Sequence, residues 1–487
     1  MDKPQHVLII LVYSELFIMT TTCKVPQPLT SWPTTPRYIE ISPSSPDWFQ
    51  FSDGEPYLPI GINLINPSGR WRNEPDSAKA EVETWMRELA GHGGNYVRIW
   101  LSQSFWDMEE KQAGVYEEEK IQRIDWFIAT ARKYGLHIKM TLEHFRSLTL
   151  DENPQAWAMK GAYHRSNGGP LDSIRQYLTT AEGHQLFLDK LDFYQQRYGQ
   201  DTLFFGWELW NEMNAMKGPE DDVFWAWNTK MLGEVKKRFP RQLVMQSLGS
   251  FDTERVVPSY QRMMLLPGNE VAQVHRYLDL GASLEICPGP MDIICASAVE
   301  DIKAFRPGKP ILLAETGAVE PRHSGPSKYY ARDTAGILLH DILFAPFFAG
   351  AAGAGMSWHW DSYVHKNNLW YHYQRFNRAI RGVNPLIEKF QPAKAETEGL
   401  RLYILAGKKT SLIWLRDKTS DWRSELDAGQ PALLISGYHL PWTSLQIPPG
   451  RVSIYDPWTD QWSSGQLKNQ ALDLPDFRRS LVLKVTH

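Results

Sequence analysis

The sequence predicts an α/β fold: a (β/α)8 TIM barrel followed by a small C-terminal antiparallel β-sandwich domain. Three observations predict it. Short apolar runs alternate with segments of helical period eight times between Tyr57 and Arg381, and such alternation argues for parallel pairing. Eight units over roughly 330 residues match a barrel with long loops. After Pro392 the helical period stops, and short strand-like runs follow between Gly, Pro and Asp turns, the pattern of a sandwich.

Residues 1–47 read as a signal-like segment and a Pro-, Thr- and Ser-rich lead-in. Lys3 precedes an apolar run that Glu15 interrupts. This is an atypical export signal, or a lipoprotein signal ending at Cys23 in which Thr20 and Thr22 fit the processing site badly. The expectation is an exported protein, whether secreted, periplasmic or lipid-anchored. Asp53-Gly54 then marks a small hairpin.

The barrel is expected over residues 48–386. Its first strand spans 57–64, ending near Asn63, and Val82, Trp85, Met86 and Leu89 line one face of the first helix. Asp76 suits that helix's N-cap and Gly91 its stop. Strands follow at 95–101, 136–142, 203–210, 242–247, 271–277, 310–315 and 353–360. The intervening helices are marked by Ile121, Ile124 and Ile128 before Gly135, by residues 181–198, and by Phe224, Met231, Leu232 and Val235. Further helical segments lie near 297–305, 335–344 and 371–381. The C-terminal domain, residues 395–487, draws its strands from 402–406, 411–415, 432–435, 451–455 and 481–485.

Bulk properties narrow the function. A hydrophobic fraction of 43% supports a large core, and a net charge of −4 gives no electrostatic case for nucleic acid or an anionic membrane. No later apolar stretch is long enough for a transmembrane span. The 20 Trp beside 20 Tyr and 20 Phe exceed what a core requires and suit sugar faces, whose C–H groups stack on flat rings. Three cysteines make no disulfide framework; Cys287 and Cys295 either bridge a loop or stay as two inert thiols. No cofactor is expected: Gly91-His92-Gly93-Gly94 precedes a strand instead of a helix, so it is no phosphate loop. No metal site is expected either, because His275 and Tyr277 lack a third ligand at a recognisable spacing.

In a barrel of this kind the chemistry sits at the C-terminal ends of the strands. Taken in order, those ends carry Asn63, Arg98, His144, Asn211 with Glu212, Ser247, His275 with Tyr277, Glu315, and Trp358 with Trp360. Two carboxylates at the fourth and seventh tips are what retaining glycoside hydrolysis needs, one as acid/base and one as nucleophile, about 5–5.5 Å apart. Glu208 shares the parity of Glu212 but lies about 13 Å deeper along the strand, which suits an ion pair with Arg98 or another basic group. Glu143 and His144 have opposite parity, and His144 is the one expected to line the site.

With these residues in order, Trp207–Asn214 followed by Ile311-Leu312-Leu313-Ala314-Glu315-Thr316-Gly317 resembles the clan A glycoside hydrolases, and within them the family 5 cellulases and mannanases. The resemblance covers about residues 48–386. It implies Glu212 as acid/base, Glu315 as nucleophile, Asn211 on the sugar 2-hydroxyl and Tyr277 orienting the nucleophile. Arg98 would keep Glu315 ionised, since an adjacent cation lowers a carboxyl pKa. His144 and His275 would line the site. One of Trp358 and Trp360 is expected to form the sugar platform, with Trp100 and Trp106 as weaker candidates.

The implied activity is retaining hydrolysis of a β-linked oligo- or polysaccharide, of β-mannan or β-glucan type. The rival is a non-catalytic glycan-binding protein on the same barrel, against which both carboxylates argue. An aldolase is disfavoured because no Lys ends the assigned strands. Residues 145–180, with Gly168-Gly169-Pro170, are expected to wall the cleft. Trp442, Trp458 and Trp462 are expected to serve packing more than sugar binding. Oligomeric state is not legible in the sequence.

Overall fold

A computed structural model describes residues 37–68, 74–144, 162–215 and 221–487. The signal-like segment with Cys23, most of the lead-in and residues 145–161 lie outside them. The described chain enters through a three-stranded antiparallel ribbon, Ile39–Ile41, Phe49–Phe51 and Pro56–Tyr57, turning at Asp53-Gly54.

Parallel strands follow, each buried along its length: β1 (Gly61–Asn63), β2 (Tyr96–Trp100), β3 (His137–Glu143), β4 (Phe204–Trp210), β5 (Leu243–Met245), β6 (Ala272–Asp279) and β7 (Ile311–Val319). The first five pair in sequence order, and β6 pairs with β7. The helices between and after them are α1 (Pro75–Gly91), α2 (Glu118–Tyr134), α3 (Ala181–Tyr198), α4 (Asp221–Arg238), α5 (Val257–Leu265), α6 (Met291–Ala304), α7 (Ile337–Phe348) and α8 (Tyr371–Ile380). α1 starts at Pro75 without a side-chain cap, so Asp76 sits in its first turn instead of capping it. α2 stops where the sequence says, at Gly135 with φ +70°, a left-handed cap that glycine adopts without strain.

The expected eighth strand is only partly realised. Residues 352–358 hydrogen-bond to both neighbours: Ala352 N donates to Ile311 O (2.8 Å), Ala354 N to Pro59 O (3.1 Å) and Met356 N to Leu313 O (3.0 Å). Regular pairing reduces to Ser357, bridged to Ile62 and to Thr316. The run Ala351-Ala352-Gly353-Ala354-Gly355 has no β-branched side chain to pack on a pleat. What it has is thinness: a Cβ on Gly353 would lie 2.5 Å from Pro59 O, and one on Gly355 2.3 Å from Ile342 O. The strand was also expected to reach Trp360, which instead opens a π-helical turn, Trp360–His365.

Beyond α8 a six-stranded antiparallel sheet runs in the spatial order Gln391–Glu396, Leu400–Ala406, Thr410–Asp417, Ser480–Thr486, Arg451–Asp456, Gln461–Gly465. A three-stranded sheet of His439–Pro441, Ala471–Asp473 and Leu467–Lys468 shares an apolar cluster with it, through Leu415 and Leu483 on one side and Leu440 and Leu472 on the other. The first of these strands starts four residues ahead of the expected boundary at 395, because its largely exposed side chains hide it from an apolar-run search. Residues 432–435 form no strand; Leu433 and Leu434 are exposed, and only Ile435 bridges, to Phe477. Trp442 is buried, with Nε1 donating to Ile447 O, and Trp458 packs on His340 and His372; Trp462 is 44% exposed and lies on Tyr455.

The C-terminal sheet docks on α6 and α7. Arg416 makes a bidentate buried pair with Asp341 of α7 (2.9 and 3.1 Å), and Arg401 does the same with Asp292 of α6 (2.6 and 2.9 Å). Trp414 lies against Phe344 and Phe348. Removing one partner strands a buried charge, so Arg416→Ala is expected to lose ~3–5 kcal/mol in denaturant titration. A loss under about 1 kcal/mol would mean that the contact is wetted and the docking weak.

Cys287 and Cys295 are free, buried thiols, the second of the two alternatives. Burial pushes Cys287 up to about 12, which keeps it protonated and unreactive.

Candidate active site

The strand ends converge on a cleft of about 780 Å³ lined by Trp100, Glu212, Tyr277, Glu315, Trp358 and Trp360, with Asn214, Ser250, Asp252 and His323 toward one rim. At its floor lies Arg98, fully buried in mid-strand on β2. Its Nη1 donates to Glu315 Oε1 and to Asn63 Oδ1 (3.2 Å), and its Nη2 to Asn211 Oδ1 (2.8 Å). Nε and Nη2 both reach Glu208 Oε2, at 2.9 and 2.6 Å. One guanidinium therefore ties two carboxylates and two carboxamides together, which its five donors in a fixed fork allow. Burial works to lower its pKa; Glu208 and Glu315 outweigh that and raise it.

Glu208 is the structural anion of the floor, paired with Arg98 as its parity suggested. Burial works to raise its pKa, but Arg98 and Lys139, with Thr141 donating at 2.6 Å, hold it well below the usual carboxylate range. Above it the strand ends in a turn at Asn211-Glu212. Glu212 has φ +49°, a left-handed backbone that side chains other than glycine seldom adopt, and its N donates to Ser247 Oγ (3.2 Å).

Glu315 does not end its strand: β7 continues to Val319. A bulge at Ala314 shifts the register so that Glu315 lies opposite His275, and a bulge re-aims the side chains around it. Tyr277 donates to Glu315 Oε2 at 2.9 Å. Burial raises the Tyr277 pKa first, and Glu315 and Glu212 add to it, so the phenol remains a donor.

His275 stands between the two carboxylates, with Nδ1 at 2.9 Å from Glu212 Oε1 and 3.5 Å from Glu315 Oε2. One oxygen of each carboxylate and this nitrogen all lie within 4.8 Å of one another. An approach this close fits the ~5–5.5 Å spacing of a retaining pair better than the ~6.5–9.5 Å of an inverting one. Asn211 Nδ2 is buried without a partner among the described residues, which leaves a donor for an incoming hydroxyl.

The aromatic residues separate by exposure. Trp358 is half-buried on the cleft wall, tilted against Trp100 at 5.2 Å. Trp360 is nearly buried, edge-on to Trp85. Trp106 is fully buried, its Nε1 donating to Ile65 O, so it is core and no platform. His144 stacks on Trp100 at 5.1 Å and bonds Ser102 Oγ at 2.6 Å, one layer out from the cleft wall. Asp361 lines the cleft; His365 packs against Trp85 and Trp370 instead. Described residues of the 145–180 connection do not line it.

Glu143, the competing carboxylate, turns away from the axis. It accepts from Lys190 of α3 (2.8 Å), which also pairs with Glu109 (3.1 Å). Asp107, buried beside them, is pushed up to about 8 by burial, with Lys190 opposing and Glu143 adding. Protonated in the fold and ionised when unfolded above about pH 4, it makes stability fall as pH rises from about 4 to about 8. Asp107→Asn is expected to flatten that part of a pH–Tm curve, and an unchanged slope would refute the assignment.

Among the described residues, two groups bring three possible metal donors within 4.8 Å: Glu212, His275 and Glu315, and separately Asp252, Asp279 and His323. The first is the carboxylate pair itself. In the second, Asp279 Oδ1 already accepts from Gly281 N (2.7 Å) and Arg322 N (3.2 Å). The residues that strand-end reading missed are Lys139 and Gln273, below the tips, and the rim residues Asp252 and His323. Lys139 and Gln273 were detectable as polar residues sharing parity with Thr141 and His275 inside apolar strands.

No family model matches the chain. Among sequence relatives, mannan endo-1,4-beta-mannosidase 7 of Arabidopsis thaliana is 23% identical over 303 residues, covering 55% of this chain and 66% of that protein. Mannan endo-1,4-beta-mannosidase 3 of Oryza sativa subsp. japonica is 23% identical over 301 residues, 58% of this chain and 64% of its own. The match thus spans just under two thirds of the length of these two relatives. A crystal structure of a glycoside hydrolase family 5 protein from Bacteroides vulgatus ATCC 8482 superposes with a TM-score of 0.55 at 11% identity, covering 92% of this chain and 93% of that one. In sequence the chain is thus similar to plant mannan endo-1,4-beta-mannosidases, and in fold to a glycoside hydrolase family 5 protein.

Proposed function

We propose that this protein is a retaining glycoside hydrolase that cleaves β-linked glycans, β-mannan first among them, by double displacement. The observation that carries the reading is the close pair of Glu212 and Glu315 with His275 between them. Glu315 attacks the anomeric carbon, aimed by Arg98 and Tyr277. Glu212 protonates the departing glycosidic oxygen, then takes a proton from the water that releases the sugar. Asn211 Nδ2 holds the 2-hydroxyl, and Trp358 is the platform under the reacting sugar. The mannan substrate rests on the names of the sequence relatives.

The reading places this site on a closed (β/α)8 barrel, residues 48–386, with a β-sandwich after it as a packing module. Export belongs to the same proposal; among the described residues no helix is long and apolar enough to cross a membrane.

The test is a covalent trap. A 2-fluoro mannoside or glucoside with a good leaving group is expected to add one sugar to the peptide that contains Glu315, read by mass spectrometry. Labelling elsewhere, or turnover that inverts the anomeric centre, would overturn the proposal. A panel of mannan, cellulose and mixed-linkage glucan then fixes the sugar. Trp358→Ala is expected to raise KM on oligosaccharides by about 10-fold, the loss of ~1–1.5 kcal/mol of ring contact, with a smaller change in kcat.

A further inference from the structure

The charge layer under the cleft contains a second cation that the proposed reaction does not use. Lys139 of β3 is fully buried. Its ammonium donates to Gln273 Oε1 and stands 3.4 Å from Glu208 Oε2, while Gln273 Nε2 donates to Glu208 Oε1 (3.2 Å). Its charged neighbours are Arg98 from β2, Glu208 from β4 and Glu315 from β7, with Gln273 of β6 accepting its hydrogen bond, while Glu315 is itself faced by Tyr277, His275 and Glu212. The layer therefore balances two cations, Arg98 and Lys139, against two carboxylates, Glu208 and Glu315.

We propose that Lys139 is a positioning residue for Glu315: by neutralising Glu208 through Gln273 and the direct ion pair, it leaves the Arg98 charge available to hold Glu315 ionised. The inference rests on the reading of Glu315 as nucleophile. Without Lys139, one guanidinium faces two carboxylates, and one of them takes up a proton more easily. Glu208 is sealed from solvent and accepts from Arg98, Thr141 and Gln273. Glu315 borders the cleft, so the proton goes there. Burial, together with Arg98, brings Lys139 down to about 7, with Glu208 and Glu315 working to raise it. It is therefore charged on the acid side of neutrality, where a carboxylate nucleophile needs the support.

The experiment is a pH profile of kcat/KM for the full chain on an aryl glycoside with a good leaving group, whose acid limb reports ionisation of the nucleophile. Lys139→Met is expected to move that limb up by about one unit, with roughly tenfold lower activity below it, and to leave KM nearly unchanged. Glu208→Gln is expected to move it down. The double variant Lys139→Met/Glu208→Gln, which carries no unpaired charge in the layer, returns it to the wild-type position. A folded Lys139→Met with a wild-type limb overturns the proposal. Where the single variant does not fold, a double variant that titrates like Glu208→Gln alone overturns it equally. The carboxyl 13C shift of Glu315 gives the same titration without turnover. If that shift follows the predicted order while Glu315→Ala stays active, the positioning claim stands and the nucleophile assignment falls.

Discussion

Glu315→Ala is expected to abolish turnover of every glycoside the protein accepts, by on the order of 10⁴-fold or more, as for groups that act as a unit with their neighbours. The side chain is nearly buried and held by Arg98 and Tyr277, so no other carboxylate can take its place at the anomeric carbon. The truncated site leaves space for a small anion beside the cation. Azide is expected to restore reaction on an activated glycoside and to give a product of inverted configuration, since only one displacement then occurs. Activity on a natural glycan near that of the wild type would end the assignment of Glu315 as nucleophile.

Glu212→Ala is expected to split by leaving group. General acid catalysis contributes ~10²–10⁴-fold, so hydrolysis of natural glycans should fall by that factor. An aryl glycoside whose leaving group departs without a proton is still attacked by Glu315. Its glycosyl-enzyme then accumulates, because no base activates the water, giving a burst followed by slow turnover. Azide here yields product of retained configuration. A uniform loss across leaving groups, with no burst, would place Glu212 outside proton transfer and return the non-catalytic glycan binder to contention.

The variants test a site whose parts were unequally legible. Strands two to seven could be read because apolar runs bounded by glycine have few other uses. On or just past them stand Arg98, Asn211, Glu212, His275 and Tyr277, which the structure gathers around one cleft, although Arg98 and His275 lie within their strands and not at the ends. Glu315 was read as a tip although β7 runs on to Val319; a bulge at Ala314 gives no signal in one sequence. The eighth strand was drawn too long because its Ala-Gly run was taken for a pleated strand, when its function is close approach. Residues 432–435 misled in the opposite sense, as an apolar run that the fold leaves exposed. Lys139 escapes a reading of strand ends, because the charge that governs a buried carboxylate can lie a layer below them.

The thin segment at 352–358 has a kinetic consequence. Asn63 Nδ2 donates to Met356 O across 293 residues of chain, and the same Asn63 accepts from Arg98. Contacts so distant in sequence are slow to form, since the loop-closure entropy comes before the bonds that reward it. On a ribosome, β1 through β7 emerge and pair while Asn63 still lacks its acceptor at Met356. The cleft is therefore completed late, after residue 358 has been made and has reached the first strand. Chains released before that point are expected to hold most of the core and none of the activity.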